Sequence, residues 1–325
     1  MPSAMTVVGY HASHEQHPPS ALLAAARAAA EAGFGAVSSS DHVTPWSRAQ
    51  GESGFAWSWL GAAMEAVPLP FGVVNAPGQR YHPVIIAQAI ATLTEMYPDR
   101  LWVALGSGEA SNEHVTGDRW PPKPERNARL VECFAVIRSL LRGDEVSTDG
   151  YVRVDRARLW TLPDRPPTLI GAALSEETAA WCGGWADGLI TVHASPDRLR
   201  RVGDAFRAGG GEGKPVRVQV KVAWAPTDDE ALAGAHDQWR TNVFDPVLMA
   251  DLETVEQFEA AATHVRPEDV RETVLVSSDA KQHAAWLHET FDCGIDEVFV
   301  HQVPREQRGF IDMFGAKVLP QVSQR

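Results

Sequence analysis

Eight short apolar segments alternate with helical stretches from one end of this chain to the other, and that alternation constrains the fold more than any single motif. Residues 5–10, 36–39, 69–75, 100–105, 168–170, 188–192, 216–223 and 297–301 are rich in small, β-branched and aromatic side chains, which suit buried strands. Helices are expected at 20–32, closed by Gly33, at 57–66, at 83–97 with Pro83 in the first turn, at 125–141 and at 307–319. Residues 144–165 suit a small hairpin, and 228–282 reads as mostly helical with an excursion at 274–279. Strands that alternate with helices pair in parallel, and eight such units suffice to close a single (β/α)8 TIM barrel. A length of 325 residues fits one domain over 1–325, although a prior of roughly 150 residues per domain would allow two.

In such a barrel the loops after the strands converge on one face, so the residues just past each strand are the place to look for chemistry. The second strand runs into Asp41 and His42, an acceptor followed by a titratable imidazole, before Pro45 and Trp46. The same positions elsewhere supply Glu15 after strand one, Asn75 after three, Gly106 to Asn112 after four, Gly171 and Ala172 after five, and Thr191 and His193 after six. Gly106-Ser107-Gly108-Glu109 lets backbone amides approach a ligand closely. It is not a dinucleotide fingerprint, because Ser111 stands where the third glycine would be. Trp46, Trp57 and Trp59 could wall a flat ligand.

The charge balance narrows the partners. The formal charge is -13 and no basic block occurs, which argues against nucleic acid or an anionic membrane. Cys133, Cys182 and Cys293 lack the spacing of a zinc site or a disulfide framework, as expected for a reducing cytosol. No basic segment followed by an apolar run opens the chain, and Arg27 and Glu31 interrupt the Ala-rich stretch 21–36, so neither export nor membrane insertion is expected. His11, His14 and His17 invite a metal reading, but His14 to His17 read H-E-Q-H in a loop rather than the helical H-E-x-x-H of a zinc protease, and no metal is expected. A metal-dependent barrel hydrolase built on His11, His14, His42 and Asp41 is the rival from another class, and there is no G-x-S-x-G elbow to support a covalent mechanism.

Five blocks in one order carry a family likeness: Gly9 to Gln16, Ser40-Asp41-His42 with Pro45-Trp46, Arg80-Tyr81-His82-Pro83 leading into Ile86 to Ala89, Gly106 to Glu109 with Asn112-Glu113, and Glu306-Gln307-Arg308 with Phe310. Together they resemble the bacterial-luciferase-like flavin oxidoreductases, near the F420-dependent glucose-6-phosphate dehydrogenase group. The resemblance implies that His42 acts as base on a substrate hydroxyl, Trp46 steadies the reacting centre, Glu109 donates a proton near the cofactor and Glu15 supports the same pocket. It also implies that Asp41, Gly106, Ser107, Gly108 and Asn112 hold a flavin or deazaflavin ring, with Val74 and Asn75 at a cis peptide that serves ring binding. The chain departs from the sugar-phosphate enzymes, since Thr191 to Ser195 contains no lysine and Gly309 replaces an arginine, which argues against glucose 6-phosphate.

The wording of the chain also resembles a subgroup taken to use FMN, and the sequence leans slightly to FMN with coenzyme F420 as the alternative. With FMN, a monooxygenase acting on a small organic substrate is expected, and a partner reductase would supply the reduced flavin. With F420, alcohol or lactol oxidation by hydride transfer is expected. Homodimers are common in this family and one is expected here.

Overall fold

The computed structural model describes residues 6–322. Eight parallel strands form its centre: β1 (Val7–Ala12), β2 (Ala36–Ser39), β3 (Phe71–Asn75), β4 (Leu101–Leu105), β5 (Thr168–Ala172), β6 (Leu189–Val192), β7 (Val216–Ala223) and β8 (Glu297–Gln302). Each pairs in parallel with the next, and β8 returns to β1 with Val7 opposite Glu297, so the sheet closes into the expected barrel. Helices Pro19–Ala32, Ala56–Ala66, Pro83–Met96, Lys123–Leu141, Glu176–Gly183, Pro196–Phe206 and Ala280–Phe291 cover the outside. Proline opens four of them, where its missing N–H costs nothing, and Gly33 closes the first in the left-handed region at φ 97°.

Two apolar cores follow from the period-two alternation of the strands. Outward residues such as Val37, Val73, Val103, Val218 and Val298 pack under the helices, while Ala36, Trp102, Ala104, Ile170, Ile190 and Phe299 fill the barrel interior. Each fully buried large apolar side chain contributes roughly 1.5–3 kcal/mol, so the filled interior is a major source of stability rather than a channel. Trp102 and Phe299 meet at 5.3 Å, and Gly72 makes room for the indole: a Cβ there would stand 1.9 Å from the Trp102 ring. Gly72→Ala is therefore expected to destabilise the fold by roughly 1–3 kcal/mol or more, the cost of overpacking a filled core. A urea midpoint equal to that of the parent would show instead that the indole can move aside.

Several boundaries differ from expectation. Strand one extends to Ala12; its expected first residue, Met5, lies outside the described residues. Strand three begins at Phe71 rather than 69, and strand five continues through Gly171 and Ala172, while Asn75 and Thr191 lie within strands three and six as their expected bounds have them. The reason is register: Gly171 lies opposite both Leu105 and Leu189, so the ladder outlasts the apolar run. The expected hairpin is present as Val146–Asp149 with Arg153–Ala157. The excursion in the helical insert is a two-residue strand, Leu275–Val276, which pairs with the end of β7 beyond the reach of β6. All peptide bonds among the described residues are trans, so the expected cis bond at Val74–Asn75 is corrected; β3 keeps a regular ladder with β4 through Asn75, in the form that costs least for a non-proline residue.

Candidate active site

The C-terminal ends of the strands gather the expected polar residues. Glu15, one of the most buried carboxylates in the chain, follows β1, and its Oε1 lies 2.7 Å from Nδ1 of His42. The approach is off the N–H direction, so this is an ion pair rather than a straight hydrogen bond. The other carboxylate oxygen accepts from the Ser13 hydroxyl at 2.6 Å and the Ser40 hydroxyl at 2.9 Å. Burial pushes the Glu15 carboxyl up, but the His42 charge and the two serine hydroxyls outweigh it and hold the group well below the usual carboxylate range. For His42 burial acts downward, and the Glu15 charge overcomes it, leaving the imidazole more basic than usual. His42 keeps 22% of its side chain exposed, so its Nε2 remains available to a small molecule.

Trp46 stands edge-on to His42 at 4.7 Å, and its indole N–H donates to Glu109 at 3.4 Å. Its backbone N–H donates to Gln50, whose amide in turn donates to the Gln238 carbonyl of the helical insert. The long loop after β2 is thus held from the far end of the chain. Trp46 also meets Trp239 at 5.8 Å, and Trp239 meets His301 at 5.0 Å. Trp57 and Trp59 do not join this wall: both are buried in the outer core along Ala56–Ala66, with Trp59 against His14 and Phe71.

Asp41 is the hub of a second cluster. Its carboxylate accepts from the Asn75 amide at 2.7 Å and from the Tyr81 hydroxyl at 2.9 Å, with Arg80 at 3.7 Å. Arg80 also donates to the Asp41 carbonyl, and its backbone N–H reaches Glu113 at 2.7 Å. The Arg80-Tyr81 block is therefore a clamp that ties the ends of β2, β3 and the short helix Ala110–Glu113 together. Asn112, in that helix, accepts the backbone N–H groups of Val43 and Thr44 and so shapes the His42 loop. Gly108 adopts φ 81°, a conformation that disfavours any side chain, and turns the chain into Glu109.

Val74 and Ala172 border the top of the barrel interior beside Gly106, where an added Cβ would stand 3.6 Å from Ala172. Ser107 lies between the two glycines of that turn. Gly171 and Thr191 are not brought to this face. A Cβ on Gly171 would strike Cys182 of the helix outside, and Thr191 is in register with the outward Val218. Gly171 was placed by assuming that its strand had already ended, and Thr191 without regard to the side of its strand on which it falls.

The three N-terminal histidines take different partners: His11 pairs with Ser38 at 2.9 Å, His14 is buried against Trp59, and His17 feels the charges of Arg305 and Glu15. Among the described residues no three His, Cys, Asp or Glu side chains are arranged to hold a metal ion, and no helix is long and apolar enough to cross a membrane.

Lys221, Trp239, His301 and Gln16 were not expected at the site. His301 lies 2.6 Å from the Gln16 amide oxygen, and Gln16 donates to Val303 and Gln238. Lys221 had a usable signal: in Val216–Ala223 the alternation puts Arg217, Gln219 and Lys221 on the barrel-facing side, where a lysine is unusual. Burial pushes its ammonium down to about 8.

Comparison with known proteins agrees with this geometry. The model of the family described as luciferase-like monooxygenase matches residues 3–297. The F420-dependent glucose-6-phosphate dehydrogenase of Microbacterium testaceum is 32% identical over 338 residues, covering 98% of this chain and 97% of that protein. The enzyme of the same name from Nakamurella multipartita is 33% identical over 327 residues, covering 97% and 96%. A solved F420-dependent secondary alcohol dehydrogenase, in complex with an F420–acetone adduct, superposes with a TM-score of 0.90 at 29% identity, covering 98% of this chain and 99% of its own. The coenzyme F420-dependent tetrahydromethanopterin reductase of Methanopyrus kandleri shares the fold at a TM-score of 0.78 and 19% identity, covering 98% and 100%. With a family model spanning most of its length and relatives aligned end to end, the chain belongs to the bacterial-luciferase-like family and is a flavin- or F420-dependent oxidoreductase.

Proposed function

We propose that this protein is an F420-dependent dehydrogenase of a small alcohol or lactol, in which His42 takes and returns the hydroxyl proton. The observation that carries the reading is the Glu15–His42 pair at 2.7 Å, which turns Nδ1 inward and leaves Nε2 for proton transfer. The full-length relatives named for F420 support this cofactor over FMN, toward which the sequence alone leaned. They also favour direct dehydrogenation over the monooxygenase chemistry expected with FMN.

The residues fit a flat tricyclic ring. Gly106 and Ala172 leave a floor of small side chains, and the buried Asn75 Oδ1 has no hydrogen-bond partner of its own, an orphan acceptor at the end of β3. Val74, Asn75, Gly106, Ser107, Gly108 and Ala172 would hold the ring, with Asp41 and Asn112 shaping the walls. When bound, the deazaflavin supplies the hydride chemistry. The protein's share is to bind, orient and move a proton. Glu15 holds the His42 ring in place and steadies the imidazolium that forms, Trp46 orders the imidazole edge, and Glu109, which accepts the Trp46 indole N–H, is the second carboxyl group of the site. No lysine follows β6, and Glu306 caps the Gly309 amide at 3.0 Å, so a carboxylate stands where a sugar phosphate would want a cation.

Glu15→Gln tests the pairing through pH. The working form of His42 in alcohol oxidation is neutral, so activity falls on the acid side as the imidazole protonates. Glu15 raises that pKa; without its charge the acid limb of kcat/KM is expected to move to lower pH, with turnover about tenfold or more slower. An unmoved limb would remove Glu15 from the proton path. The function itself is tested by titrating the protein with F420 and with FMN, then offering secondary alcohols to the F420-loaded form. Saturable F420 binding and bleaching of its absorbance by an alcohol are expected; tight FMN binding with none for F420 would overturn the reading.

A further inference from the structure

We propose that Lys221 is the specificity-determining cation of this site and takes the carboxylate of a hydroxy-acid substrate whose carbinol lies at His42; this rests on the dehydrogenase reading above. Lys221 projects from β7 on the same side as Arg217, but the two differ in their partners. Arg217 is paired with Glu297 at 2.7 Å and lies over the Trp102 ring. Lys221, nearer the mouth, forms no hydrogen bond or ion pair among the described residues, and its ammonium stands over Trp239 at 5.6 Å. The Glu109 charge favours this partly buried ammonium only at longer range, without a direct contact, and a ligand anion would supply the missing close partner.

Its surroundings offer no other cation to share that anion. His11 from β1, His301 from β8 and His193 after β6 are all kept neutral by burial, and Glu109 is the acidic group in range. A phosphate carries close to two charges and calls for several cations, whereas one ammonium matches one carboxylate. An aromatic wall joins the two ends of the proposed substrate: His42 to Trp46 at 4.7 Å, Trp46 to Trp239 at 5.8 Å, Trp239 to Lys221 at 5.6 Å. The residues fitted to the ring lie on β3, β4 and β5, so Lys221 faces the substrate end. In the reaction the carbinol C–H leaves as hydride to F420, the O–H proton goes to His42, and a carbonyl forms; the carboxylate held by Lys221 is unchanged.

The test uses a chain-length series of 2-oxo acids and their methyl esters, titrated calorimetrically into protein loaded with oxidised F420, where no turnover occurs, and into protein without cofactor. The parent is expected to bind at least one acid about tenfold or more tighter than its ester, the scale of one charge-assisted contact. That ratio falls to about one in Lys221→Met and persists in Lys221→Arg. A measurement without any variant checks the same point: the preference should decline as pH rises past about 8, where Lys221 loses its proton while the three histidines are already neutral. An acid preference that survives in Lys221→Met, or none in the parent, overturns the proposal. Failure of F420 to bind while the ratio still depends on Lys221 would overturn only the dehydrogenase reading.

Discussion

His42→Ala is expected to lower turnover by roughly 10² or more while F420 affinity changes by less than about tenfold, the usual scale for removing a general base that does not itself hold the cofactor. The asymmetry follows from where His42 sits. Its ring touches Glu15 and Trp46, and neither belongs to the small-residue floor at Gly106 and Ala172. Removing the imidazole leaves the Glu15 carboxylate with its serine donors but without its counter-ion, so some loss of stability accompanies the loss of rate. The split is read by F420 fluorescence titration beside single-turnover oxidation of an alcohol. Equal rates in mutant and parent would take His42 out of the chemistry, and a collapse of F420 affinity would make it a ring-binding residue.

Asp41→Ala is expected to destabilise the protein by roughly 3–5 kcal/mol, the cost of removing one partner from a buried charged network. The carboxylate is about 1% exposed, and its loss strands the Asn75 amide, the Tyr81 hydroxyl and part of the Arg80 charge in one stroke. Asp41→Asn is expected to cost less, because its amide oxygen can still accept one of these donors. Urea unfolding followed by tryptophan fluorescence measures both. A stable Asp41→Ala variant that fails to bind F420 would show that Asp41 acts on the ring directly rather than through the clamp.

The barrel itself was legible because each strand announces itself locally. Val7–Ala12 and Phe71–Asn75 are runs of small and β-branched residues, and Pro83 or Gly33 marks where a neighbouring helix starts or stops. Strand ends were less legible. Gly171 looks like a loop residue by composition, yet ladder pairing with Leu105 keeps it in its strand, and pairing with Val218 turns Thr191 away from the site. A glycine reads as a turn only when nothing is packed against it; here it leaves room for Cys182.

By itself the sequence determined the alternation that closes a barrel, and with it the list of residues at the C-terminal ends of the strands: Glu15, Asp41, His42, Asn75 and Glu109 all follow or finish a strand. Local propensity and periodicity act over a few residues, so they reach that far and no further. Only the tertiary structure decided who meets whom. Glu15 finds His42, Asp41 finds Tyr81, Trp46 is held by the insert near Gln238, and Lys221 comes to stand over an indole. Side-by-side pairing of neighbouring strands brings the first two pairs together, and the closed sheet brings the Trp46 loop to the insert that follows β7.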